Sequence, residues 1–176
     1  MQDFDVHHGN GTEDGFRHSP TLFYGSTHEL GNYPGTGIQP SLQPINSTEM
    51  ETLLQLLQKD DIFNQLFDLS FDSLWSKTSG GTSQFPSLQV SRSSLVHQRI
   101  VDRQIHSGKR SRYEFRLKWR EILYEMIWFN PLLVIISAGF DAHDDDPLAD
   151  LELIEEDYAW ATYAVCLACE CCGKWR

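Results

Sequence analysis

Asp3, Asp5 and His7 near the start of the chain, and Asp141 far along it, have side chains of the kinds that bind a metal ion. The first three alternate along what reads as an extended segment, so their side chains project from one face. Two oxygens and a nitrogen leaving one strand end, followed by the flexible His8-Gly9-Asn10-Gly11, suit a divalent cation. Taken alone, such a triplet is more often an exposed strand end than a metal site, because polar residues mostly sit at the surface. Asp141 tips the balance. It follows directly on the apolar run at 132–137 (LLVIIS), and in parallel sheets ligands gather beyond the carboxyl ends of the strands. Two Asp and one His leave one zinc position open, as in a catalytic rather than a structural zinc. Such an ion polarises a carbonyl and binds water.

Three stretches must position these groups. Residues 1–37 read as strand, turn, short helix, strand and loop. A strand end is expected at 3–6 and a turn at Asn10-Gly11. A helix is expected to open at Thr12, a second strand to run over 21–26, and Tyr33-Pro34-Gly35-Thr36-Gly37 to form a tight loop. Residues 38–108 differ in character. Thr48-x-x-Glu51 is a capping-box pattern ahead of Leu53, Leu54, Leu57, Ile62, Leu66 and Phe67, which predicts an amphipathic helix over 48–67. No period holds over 70–107, and a structureless run that long sits badly inside a compact domain. In residues 109–176, Phe115, Trp119, Ile122 and Met126 recur at helical spacing, and Asn130-Pro131 ends that helix. Residues 132–137 suit a strand covered on both faces, and 155–172 a further helix closed by Gly173. Helix, strand, loop and helix around a buried strand indicate an α/β fold with a parallel sheet and flanking helices.

Composition narrows the function. A chain of 176 residues suffices for one domain with a real core. The net charge of -11 argues against direct nucleic-acid binding, which needs clustered Lys and Arg. No secretory signal or membrane-spanning run is evident, so a cytoplasmic protein is expected. Cys166, Cys169, Cys171 and Cys172 crowd into seven residues, too close for a disulfide framework or an easy tetrahedral site. They read as small apolar residues of a core helix.

Residues 3–37 (DFDVHHGNGTEDGF...STHELGNYPGTG) and 132–158 (LLVIISAGFDAHDDDPLADLELIEEDY) resemble two signature blocks of the histone-deacetylase superfamily. The resemblance leans to bacterial deacetylase-like, acetoin-utilisation and acetylpolyamine amidohydrolase members, and extends weakly through 109–131. It implies an arginase/deacetylase-like parallel sheet between helices, here incomplete. It divides the chain into a first block (1–37), an unmatched segment (38–108) and a second block (109–176). It makes Asp5, His7 and Asp141 zinc ligands. Asp3 and Ser26 become potassium ligands, together with backbone carbonyls of Asp5, His7 and Thr27. Phe16, Ser19 and Leu22 fall where a second potassium sits. Tyr33 becomes a wall of the acyl-lysine tunnel, and His8 lies behind the zinc. The implied substrate is acetyl-lysine or an acetylated amine.

The departures matter equally. The family's paired histidines, which act as general base and acid, lie upstream of the first block, and its Gly-Gly-Tyr lies downstream of the second. Neither occurs within these 176 residues, and His7-His8 is not that pair, since His7 belongs to the metal. No catalytic acid, base or oxyanion donor is therefore assigned. Three readings follow: an inactive fragment, one part of a split active deacetylase, or a non-enzymatic interaction protein using helix 48–67. Ile154 replaces a Thr that would cap the last helix. His143 is either an extra ligand or a loop-stabilising hydrogen-bond partner. The nine carboxylates from Asp141 to Asp157 lack the spacing of a calcium loop and read as a solvated face.

Overall fold

The computed structural model describes residues 1–38 and 99–172. The chain divides into two compact units, Met1–Ile38 with Ser87–Arg176 and Gln39–Pro86, and every described residue belongs to the first. The expected helix over 48–67, most of the stretch 70–107 and Gly173 lie outside the described residues.

The described elements are β1 (Gln2–Asp3), α1 (Asn10–Arg17), β2 (Tyr24–Glu29), β3 (Ile100–Ile105), α2 (Ser111–Phe129), β4 (Ile136–Ser137) and α3 (Glu155–Cys171). The strands form one sheet in the order β3-β2-β1-β4, with every neighbouring pair parallel. The architecture is α/β. Asp3 stands beside Ser26, and Ser26 beside Asp102, so the three share a position across β1, β2 and β3. Alternation then sorts the faces. Tyr24, Ser26, His28 and Asp102 look towards α1, where Phe16 meets the Tyr24 ring at 6.3 Å. Gly25 and Arg103 look towards α2, against Ile122 and Glu121 respectively.

The helical spacing in α2 does what it predicts. Phe115, Trp119, Ile122 and Met126 are all buried, each worth about 1.5–3 kcal/mol of transfer free energy. Phe4 joins this core between the rings of Trp119, Phe140 and Tyr158. The helix stops where expected: Asn130 takes the left-handed conformation at φ 56°, its N–H bonding to Met126 and Ile127 carbonyls, and Pro131 follows. At the start of α3, Asp157 accepts the N–H of Ile154, so half of a capping box survives without a hydroxyl at position 154. Asp157 is fully buried and also takes hydrogen bonds from Arg112 and Arg116, which locks α2 to α3.

Four local expectations are corrected. β2 begins at Tyr24 rather than 21, because Ser19 holds Thr21 and Leu22 in a turn through its hydroxyl and carbonyl. Asn10 and Gly11 lie inside α1, whose first helical bond runs from Glu13 N–H to the Gly9 carbonyl. The stretch without a period contains β3, in which buried Val101 and Ile105 flank three polar residues that hide the pattern. Among the described residues the apolar run 132–137 is not covered on both faces. Only Ile136 and Ser137 pair, on an edge of the described sheet, while Leu132 and Leu133 are 87% and 70% exposed. They border a groove of about 470 Å³ lined also by Phe16, Leu22 and Phe129. None of the described helices is long and apolar enough to cross a membrane.

Candidate metal centre

Asp5, His7 and Asp141 converge. His7 Nδ1 lies 3.1 Å from Asp5 Oδ1 and 2.9 Å from Asp141 Oδ2. One ligand atom from each residue falls within 4.8 Å of the others. Strand alternation does not build this arrangement, because β1 ends at Asp3. Two successive carboxylate turns build it instead: Asp3 Oδ1 accepts the Asp5 N–H at 3.2 Å, and Asp5 Oδ1 accepts the His7 N–H at 2.8 Å. Aspartate favours this local bond two residues on, and here it curls the chain after the strand. Asp141 is tied in from the other block, its Oδ1 accepting the Val6 N–H at 2.9 Å.

The pocket suits a cation. An imidazole nitrogen and two carboxylates point at one place, and all three residues are partly exposed. Gly139 makes room: a Cβ there would come within 2.2 Å of Asp5 Oδ2. Tyr33, 77% exposed, presents its ring near-perpendicular to His7 at 6.3 Å. His143 faces elsewhere. Its Nδ1 accepts the Asp145 N–H at 3.1 Å and its ring stacks on Tyr158, which is the loop-stabilising role.

Asp3 is buried beside Ser26 and takes the Tyr24 hydroxyl on Oδ2 at 3.1 Å. Burial pushes its carboxyl above the usual range, partly opposed by the hydrogen bonds from Asp5 and Tyr24. Thr27 follows Ser26 on β2, its hydroxyl buried and facing the opposite side. Of Phe16, Ser19 and Leu22, the Ser19 carbonyl already accepts from both the Leu22 N–H and the Arg99 guanidinium. That fixed positive charge competes with any cation there.

A second cluster, not foreseen in the sequence, lies under the first. His8 turns away from His7 into the interior, with Nε2 at 3.1 Å from Glu13 Oε2 and 3.4 Å from Asp102 Oδ1. Its ring lies 4.6 Å from that of His28. Burial pushes His28 down to about 4 and lowers His8 as well, so both rings are neutral near pH 7. His106, the other described histidine of note, bonds Glu114 at the surface. No sequence pattern could have joined His8 with Asp102, since only the β2–β3 register brings them together.

The profile of the histone deacetylase domain matches residues 1–176. The chain is 30% identical over 173 residues to a protein of Arabidopsis thaliana named histone deacetylase 14, chloroplastic, covering 97% of this chain and 29% of that relative. It is also 30% identical over 173 residues to histone deacetylase 10, chloroplastic, of Oryza sativa subsp. japonica, covering 97% of this chain and 28% of that one. Histone deacetylase 6 of Caenorhabditis elegans is 27% identical over 163 residues, 92% of this chain and 12% of its own length. The chain thus spans under a third of each of these three relatives, and across all its residues it belongs to the histone deacetylase family.

Proposed function

We propose that these residues are the metal-holding portion of a zinc-dependent deacetylase acting on acetyl-lysine or acetylated amines, and that the 176 residues alone hydrolyse neither. The observation that carries this reading is the convergence of Asp5, His7 and Asp141 in a half-open pocket. Those three would hold the zinc, and a potassium ion beside Asp3 and Ser26 would brace the strand ends beneath it. The zinc, when bound, would supply Lewis acidity to an amide carbonyl and to water. Asp5 and Asp141 offset its charge, and their bonds to the His7 and Val6 N–H groups keep both carboxylates from swinging away. Tyr33 offers an apolar ring at the rim against which a linear acyl chain can lie.

The described residues around the pocket do not supply proton transfer. His8 points inward and His143 is engaged with its own loop, so neither reaches a water in the pocket. Lacking a general base costs about 10²–10⁴ in rate, and lacking an oxyanion donor about 10²–10³ more. A fluorogenic acetyl-lysine assay with added zinc, run beside Asp141→Ala, tests the reading. No turnover above that variant is expected. Turnover that vanishes in Asp141→Ala would show that these residues assemble a base of their own.

A further inference from the structure

We propose that the chain holds a second, enclosed divalent transition-metal site of the zinc class, made by His8, His28 and Asp102. Ligand atoms of His8, His28 and Asp102 all lie within 4.8 Å of one another. Glu13 stands beside them, its inner oxygen 3.1 Å from His8 Nε2 and its outer oxygen paired with Arg17. All four residues are at least nine-tenths buried.

A hydroxyl stands at Nδ1 behind each ring. His8 Nδ1 lies 2.8 Å from the Thr36 hydroxyl and His28 Nδ1 lies 3.2 Å from the Ser26 hydroxyl. Each hydroxyl can accept an Nδ1 proton and leave a lone pair on Nε2, the outer bond that ligating histidines usually make. Both Nε2 atoms are buried and make no hydrogen bond of normal geometry, even though the Gly37 carbonyl approaches the His28 ring. A lone pair aimed between two buried carboxylates is unfavourable unless something positive sits between them. Two imidazoles and the Asp102 carboxylate give two nitrogens and one oxygen. Nitrogen donors select the zinc class over magnesium or calcium. Gly37 closes the site, because a Cβ there would come within 2.5 Å of His28 Nε2 and 2.7 Å of His8 Cδ2.

All three ligands are buried, with no opening for a substrate, which marks a structural ion rather than a catalytic one. The ligands come from the loop after β1, from β2 and from β3. The ion would therefore staple β3 to the first block of the chain, and this does not depend on the catalytic reading of Asp5, His7 and Asp141.

The test is zinc stoichiometry on the purified full chain after loading and desalting, read by native mass spectrometry. Two zinc ions per chain are expected in the unsubstituted protein, and one in each of Asp102→Asn, His28→Asn and Asp141→Ala. Should the buried substitutions fail to fold, cobalt-loaded Asp141→Ala decides alone, since it retains only the enclosed site and should show the strong visible bands of a tetrahedral ion. An Asp141→Ala chain without metal overturns the proposal, as does a second zinc that survives Asp102→Asn and leaves on replacement of Cys166, Cys169 and Cys172. Metal lost from Asp102→Asn yet undiminished in Asp141→Ala upholds the enclosed site and overturns the catalytic reading instead.

Discussion

His7 Nδ1 lies 2.9 Å from Asp141 Oδ2, and Asp141 Oδ1 holds the Val6 N–H, so one carboxylate binds both the side chain and the backbone of the opposite block. Asp141→Asn separates the two duties. The amide oxygen can still accept from Val6, but the charge facing the metal is gone. Zinc affinity should fall by more than the roughly 10–100-fold that loss of an outer partner costs, with little change in the metal-free melting temperature. Competition against a chromogenic chelator measures this, and an unchanged affinity would remove Asp141 from the site.

Gly139 tests the same site from behind. Its missing Cβ is the space that Asp5 Oδ2 fills, at 2.2 Å. In Gly139→Ala the Asp5 carboxylate must shift, at a cost of about 1–3 kcal/mol from overpacking. Weaker zinc binding with a native circular dichroism spectrum is the expected result. Wild-type binding would mean that Asp5 has room the geometry does not show.

Asp157 carries a different load. It is fully buried, with Arg112 Nε at 2.6 Å and Arg116 Nη2 at 2.7 Å, and it also caps Ile154. Asp157→Ala should destabilise the fold by about 3–5 kcal/mol, the usual result of removing one partner from a buried ion pair. Asp157→Asn, which still accepts hydrogen bonds, should cost less. Urea unfolding followed by tryptophan fluorescence separates the two, and equal losses would argue that charge is irrelevant there.

Leu133 offers the opposite case. It is apolar yet 70% exposed beside the edge strand. Leu133→Lys should leave unfolding free energy within about 0.5 kcal/mol, as surface substitutions normally do, while reducing self-association in sedimentation velocity. A large loss of stability would show that Leu133 is covered in solution.

What the sequence revealed follows from how local each signal is. α2 was legible because its buried residues repeat at a helical period and Asn130-Pro131 stops it within the same short window. Asp5, His7 and Asp141 were singled out by family resemblance and do converge, although the alternation argued for them is not the cause: Asp3 and Asp5 bend the chain through bonds to the backbone two residues on. β3 was hidden because Asp102, Arg103 and Gln104 interrupt its apolar residues. Asp102 and Arg103 each find a partner across the fold, in the His8 cluster and in Glu121. The run at 132–137 misled for the converse reason, since apolar composition signals a covered strand whether or not the described residues supply the cover.

The six-residue register between β2 and β3 sets an asymmetric rule for how this family member can change. A substitution inside β3 leaves every other side chain on its own face. A deletion or insertion of one residue is another matter. It exchanges the faces of neighbouring side chains, carrying Asp102 out towards α2 and driving the Arg103 guanidinium in against His8 and His28. Single side chains along this strand can thus be exchanged, while its register tolerates no slip.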